Sequence, residues 1–231
     1  MTEKREAKRN YDREMQQEIR RLHSETRKLP KLLLHACCAP CSSACLERLL
    51  PDFAITVFYY NPNIDHEEEY QKRVAEERRL IDEYNRRIRE ASCGFPPACD
   101  RQKSGLSEIR VMEGDYHPED FHALVRGLEN EPEGGARCMA CFRLRLFETA
   151  RVAAQGDFSC FTTTLTISPL KDAGLLNAIG REAAEQTGRV TWLPSDFKKR
   201  NGYLRSLELS REYGLYRQNY CGCSFSKTEK K

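Results

Sequence analysis

Eleven cysteines in a chain of 231 residues include groups whose spacing suits sulfur chemistry. The first is His35-Ala36-Cys37-Cys38-Ala39-Pro40-Cys41, with Cys45 one helical turn further on. The second is Arg137-Cys138-Met139-Ala140-Cys141-Phe142-Arg143, and the third is Tyr220-Cys221-Gly222-Cys223. A Cys-x-x-Cys pair at the start of a helix sets two sulfurs on one face, and the positive helix N-terminus favours thiolate over thiol. Adjacent Cys37 and Cys38 would point to opposite faces of a regular strand, so both serve one site only where the strand has ended. Four thiolates from two such pairs satisfy a cubane iron–sulfur cluster. The same four close a tetrahedral zinc site equally well, and spacing does not separate the two. Cys221 and Cys223 can close only a very small disulfide ring, and strained disulfides are readily reduced. That pair reads as an electron relay or as ligands to a further metal, with Gly222 supplying the flexibility either role needs. Cys45 and Cys160 read as small buried hydrophobes, Cys93 and Cys99 as structural, and His35 as core packing.

The elements that must position these thiols alternate. The apolar run Leu32–Ala36 predicts a strand ending at Cys37, followed by a helix over Ser42–Leu50. Further strands are expected at 55–60, 109–112, 158–164 and 190–193, with helices over 65–90, 118–128, 137–154 and 174–187. This alternation predicts an α/β fold, a mostly parallel Rossmann-like sheet with helices on both faces. Ligands in such sheets bind beyond the carboxyl ends of the strands, where Cys37 and Cys38 stand. Residues 1–30 read as a polar N-terminal helical extension, with Tyr11, Met15, Ile19 and Leu22 forming one thin apolar stripe. Residues 31–226 form the α/β domain, with a surface insertion at about 92–107, and 227–231 read as a disordered tail.

Lysine and arginine number 38 against 35 acidic residues, a formal +3, which excludes a protein held on phosphate by bulk charge. No stretch reads as a signal peptide or membrane span, so the expected location is cytoplasmic, with no membrane partner. Thiols stay reduced there, which turns the cysteines from a disulfide framework towards metal ligation and redox chemistry.

Five stretches resemble one known family, the cobalamin-independent epoxyqueuosine reductases called QueH. They are Leu34–Pro40, Phe58–Ile64, Arg137–Leu146, Phe161–Pro169 and Tyr220–Ser226, in the family's order. The resemblance implies a reductase for the last step of queuosine biosynthesis, turning epoxyqueuosine at the tRNA wobble position into queuosine. It implies that Cys37, Cys38, Cys138 and Cys141 hold a [4Fe-4S] cluster. Cys221 and Cys223 would be the redox-active pair or ligands to an additional mononuclear iron. Some relatives have Asp where this chain has Cys41, a position linked to that extra iron. Removing an epoxide oxygen takes two electrons, which the cluster and relay would feed while a second metal takes the oxygen. An electron donor, unidentified by sequence, must reduce the centre.

Lys198-Lys199-Arg200 followed by Asn201-Gly202-Tyr203 reads as a basic loop beside an aromatic, suited to phosphate contact and base stacking on tRNA. Arg143, Arg145 and Lys171 read as lining the same rim, Thr162–Thr164 as hydroxyls offered to the substrate or packed in the sheet, and Asp172 as a proton donor. The competing readings are a zinc-stabilised RNA-binding module and a thiol–disulfide oxidoreductase using Cys38 and Cys41. The second would leave Cys138, Cys141, Cys221 and Cys223 without a task.

Overall fold

Leu32-Leu33-Leu34 and Ile55–Tyr59 are apolar at consecutive positions, the mark of strands covered on both faces. The computed structural model, which describes residues 9–90 and 106–227, bears this out. Its five strands are β1 (Lys31–Ala36), β2 (Ala54–Tyr59), β3 (Arg110–Glu113), β4 (Cys160–Thr163) and β5 (Thr191–Trp192). They form one sheet in the order β3-β2-β1-β4-β5, and every pairing is parallel.

The helices are α1 (Tyr11–Glu25), α2 (Ala39–Leu49), α3 (Glu67–Arg89), α4 (Pro118–Leu124), α5 (Ala136–Gln155), α6 (Ala173–Thr187) and α7 (Gly202–Glu212). Side chains alternate across the sheet and divide the core in two. Leu32, Leu34, Val57 and Tyr59 pack with residues of α1, α2, α3 and α7, while Leu33, Phe58 and Phe161 pack with α5 and α6. In α1, Met15, Ile19 and Leu22 are buried, worth roughly 1.5–3 kcal/mol each, which docks the helix on the domain. Among the described residues no helix is long and apolar enough to cross a membrane.

Several boundaries differ from the sequence expectation. Cys38 is the extended residue before α2 and Pro40 lies in its first turn, so that helix starts at Ala39 rather than Ser42. β4 ends at Thr163 and a 3₁₀ turn covers Thr164–Ile167. Helix α7 occupies a stretch for which no element was expected. Cys93, Cys99, most of the expected insertion and residues 228–231 lie outside the described residues.

The chain leaves β1 towards β2 and β3, then returns to place β4 on the opposite side of β1. The strand order therefore reverses between β1 and β4. In open parallel sheets that reversal opens a crevice at the carboxyl ends, where ligands bind.

Candidate sulfur-lined site

Cys37 emerges from β1 directly into that crevice. The Asn61 side-chain amide donates to the Ala36 carbonyl (2.8 Å), fixing the point at which the strand stops. The Cys37 amide donates to Thr164 Oγ1 (3.2 Å), and that hydroxyl donates in turn to Cys37 Sγ (3.4 Å), so the switch-point neighbour of β1 grips the first cysteine twice. The Cys38 carbonyl accepts from the Cys41 and Ser42 amides (both 3.0 Å), opening α2. Cys37 Sγ lies 3.8 Å from Cys38 Sγ, and the three sulfurs of Cys37, Cys38 and Cys41 lie within 4.8 Å of one another. This triad could hold a metal ion.

The three thiols do not ionise alike. Hydrogen bonds from Cys38 and Cys41 hold Cys37 well below the ordinary thiol range, against burial and with help from Lys171 and Thr164. Cys38 and Cys41 are pushed up, first by their bonds to Cys37. Negative charge at the N-terminal end of α2 is thus favoured on Cys37 over its two neighbours.

Helix α5 brings the second pair. Gly134, at φ +88°, turns its amide onto Cys138 Sγ (3.3 Å), and Gly135 precedes the helix. Cys141 is buried one turn later, its thiol pushed up to about 12 by burial. Cys138, Cys141, Cys221 and Cys223 line a cavity of about 110 Å³. Cys37, Cys38, Cys41 and again Cys221 line a neighbouring cavity of about 370 Å³, within the range of small-molecule sites. Glu133, Leu170, Lys171, Cys221 and Ser226 belong to both walls.

Cys221 and Cys223 are held from behind. Arg73, buried and paired with Glu69 (2.6 Å), donates to the carbonyls of Cys221 (3.0 Å) and Tyr220 (3.4 Å). Gly222 has φ +126°, and a Cβ there would lie 2.7 Å from Ile64 Cγ1. The residue between the two cysteines is therefore fixed by backbone conformation and by space, beyond the flexibility expected of it. Arg73 escaped the sequence reading, and its Glu69 neighbour one turn earlier was the only signal.

The other candidate residues separate into those at the cavities and those bound elsewhere. Tyr203, on the first turn of α7, lines the larger cavity with Arg217, Gln218 and Asn219. Lys198 Nζ instead donates to the carbonyls of Thr166 (2.9 Å) and Lys171 (3.4 Å) and pairs with Asp196, and Arg200 pairs with Asp12 of α1 (3.0 Å). Lys199 is exposed. Asp172 lines the smaller cavity but caps α6, Oδ1 accepting from the Gly174 and Leu175 amides (2.6 and 3.2 Å).

Thr162–Thr164 are fully buried and bonded within the protein: Thr162 to Ser195, Thr163 to His35, Thr164 to Cys37. His35 is a core histidine whose pKa burial drives down to about 3; it bridges Thr163 Oγ1 (2.8 Å) and the Tyr60 carbonyl (3.1 Å). Because a carbonyl only accepts, the proton sits on Nε2. Of the three cations expected on the rim, Arg143 pairs with Glu182 at the surface and Lys171 stands on the wall between the cavities. Arg145 is buried to 1 % exposure, because the turn that points Cys141 inward points the residue four later the same way.

Comparison with known proteins agrees with the resemblance in the sequence. Residues 32–229 match the family described as Epoxyqueuosine reductase QueH. The chain is 41% identical over 217 residues to an epoxyqueuosine reductase QueH of Streptococcus pyogenes serotype M1, covering 94% of this chain and 78% of that protein. It is 36% identical over 219 residues to the enzyme of that name from Staphylococcus epidermidis (94% of this chain, 84% of the relative). The Thermotoga maritima protein of the same name is 32% identical over 206 residues (87% and 92%).

Proposed function

The chain belongs to the epoxyqueuosine reductase QueH family, and from that premise we propose that it reduces the epoxide of epoxyqueuosine at the tRNA wobble position to the alkene of queuosine. The overall change takes two electrons and two protons, breaks both epoxide C–O bonds, forms the C=C bond and releases water.

The observation that carries the reading is the meeting of thiols from three distant stretches around two adjoining cavities at the strand-order reversal. Cys37, Cys38, Cys138 and Cys141 would hold a [4Fe-4S] cluster. The donor set fits: sulfur only, every cysteine among the described residues free of disulfides, two helix N-termini, and the buried cation of Arg145 beside the thiols. Such a cluster, when bound, supplies electrons one at a time. Cys221 and Cys223 serve as the redox-active pair or, with Cys41, as ligands to an additional iron; Cys221 faces both cavities and suits either task. The Thr164 hydroxyl and the Gly134 amide each donate a hydrogen bond to a cysteine sulfur, an arrangement that suits sulfur ligands carrying negative charge. Lys171 stays charged despite burial because Cys221, Cys37 and Cys41 surround it, and it presents a cation to whatever anionic oxygen enters the larger cavity. Tyr203 at that cavity offers a ring for a base to stack on. The tRNA bearing epoxyqueuosine is the partner, and an external donor must recharge the centre.

Anaerobically purified protein should be brown, contain iron and sulfide, and convert epoxyqueuosine-containing tRNA to queuosine-containing tRNA with a low-potential reductant. Cys138→Ala should lose colour and turnover together. A colourless, zinc-loaded wild type would support the RNA-binding alternative, and a cluster-free Cys138→Ala protein with normal turnover would end the proposal.

A further inference from the structure

Buried arginines in this protein normally find acceptors. Arg73 has the Glu69 carboxylate and two carbonyls, and Arg137, although its Nε has no partner among the described residues, donates from Nη1 to the carbonyls of Leu128, Glu129 and Glu131. Arg145 has a single acceptor. Its hydrogen bond among the described residues runs from Nη1 to Asn61 Oδ1 (3.0 Å), while Nε and Nη2 have no acceptor, and no carboxylate among those residues pairs with it. A guanidinium cannot shed its proton to escape the cost, so an unpaired buried one requires an anion.

The groups that support its charge are cysteine sulfurs. Burial works against its charge, and Cys141, Cys221, Cys37 and Cys223, drawn from all three cysteine groups, support it. Asn61 holds the side chain in place, because its own amide is anchored on the Ala36 carbonyl one residue before Cys37. The guanidinium is thus tied to the backbone that presents the first cysteine and lies on the helix that presents Cys138 and Cys141.

We propose that Arg145 is the counter-cation of the sulfur centre: its free Nε and Nη2 hydrogens would donate to sulfur there, and its charge would make the centre easier to reduce. This rests on the iron–sulfur reading above. A cluster gains negative charge on reduction, and a fixed cation in a low-dielectric surrounding favours the more negative state, hence a higher midpoint potential. Arg145 is in this sense a positioning and tuning residue.

The test is a reductive titration of anaerobically purified, iron-loaded protein, followed by the electron paramagnetic resonance signal of the reduced cluster. Arg145→Met should lower the midpoint potential relative to wild type, and Arg145→Lys should restore part of the difference. Thermal unfolding supplies a second measure. Arg145→Met should leave the metal-free protein as stable as wild type or more so, yet shrink the rise in Tm that iron loading gives. Equal midpoint potentials in wild type and Arg145→Met overturn the inference. So does loss of the metal-free fold in both variants by circular dichroism, which would make Arg145 a residue of the core alone. Uptake of iron by Arg145→Lys but not by Arg145→Met supports it. A wild type with no cluster signal sinks the iron–sulfur reading itself, and is seen before any variant is compared.

Discussion

Thr164 Oγ1 stands 3.4 Å from Cys37 Sγ while accepting the Cys37 amide at 3.2 Å, so a single hydroxyl on the turn that follows β4 both locates the cysteine and supports its negative charge. Thr164→Val keeps the shape and removes the donor, which raises the thiol's pKa. Loss of one charge-assisted hydrogen bond of roughly 1.5 kcal/mol should move the pH midpoint of Cys37 alkylation in the metal-free protein up by about one unit. Iodoacetamide labelling over a pH series, resolved by mass spectrometry, reads this directly, and an unchanged midpoint at Cys37 contradicts it.

Glu77 lies on the inner face of α3, and burial pushes its carboxyl from 4.5 up to about 8, with the Ser42 hydroxyl opposing. Between those values the folded protein keeps a proton that the unfolded chain releases. Stability from this group is therefore complete below about 4.5 and is lost as pH rises through 8. Glu77→Gln, neutral throughout, should exceed wild type by on the order of 4 kcal/mol at pH 8 and should lose most of that margin near pH 4.5. Urea unfolding at a series of pH values tests it, and parallel pH profiles would refute the assignment.

Gly222 combines φ +126° with a contact that leaves no room for a methyl group. Gly222→Ala should cost about 1–3 kcal/mol, from backbone strain and displacement of Ile64. It should also reduce turnover by more than that loss of folded protein accounts for, because Cys221 and Cys223 shift with it. Thermal melts paired with single-turnover assays separate the two effects. Wild-type turnover in a folded Gly222→Ala protein would show that the spacing of the two thiols is not critical.

Within the basic stretch, the structure distinguishes side chains free to meet tRNA from those already engaged. Lys199→Ala should weaken tRNA binding and reduce the slope of log affinity against log salt by about 0.7–0.9, the value of one phosphate contact. Tyr203→Ala should leave that slope unchanged and lower kcat/KM. Lys198→Ala should act on stability, since Lys198 holds two carbonyls. Filter binding over a salt series checks the slopes, steady-state turnover the Tyr203→Ala effect and thermal melts the Lys198→Ala effect, and a Lys199→Ala slope equal to wild type would remove that residue from the interface.

The parallel sheet and the cysteine groups were legible because both are written in local pattern. Consecutive apolar residues such as Leu32–Leu34 announce a strand covered on both sides, and Cys-x-x-Cys announces its own geometry. Helix α7 was not legible, because its buried face is Ser206, Leu209 and Ser210 and carries almost no apolar stripe. Its start is set by tertiary context: Asn201 has φ 60°, and a Cβ at Gly202 would lie 1.9 Å from the Phe197 carbonyl oxygen. Arg145 was misplaced on a rim for a related reason. A long cation reads as solvent-facing, and only its place four residues after Cys141 hinted otherwise. The cysteine reading set Cys37 and Cys38 with Cys138 and Cys141, whereas the tight group the structure shows is Cys37, Cys38 and Cys41, since that depends on how α2 leaves the strand.

Cys221 and Lys171 stand where the two cavities meet. A partition common to both chambers makes them one thermodynamic system. If a guest in the larger chamber displaces that partition, the smaller chamber registers it, and by reciprocity the oxidation state of the smaller chamber sets how well the larger one accepts its guest. Substrate affinity and electron supply would then be linked with no message carried through the rest of the fold.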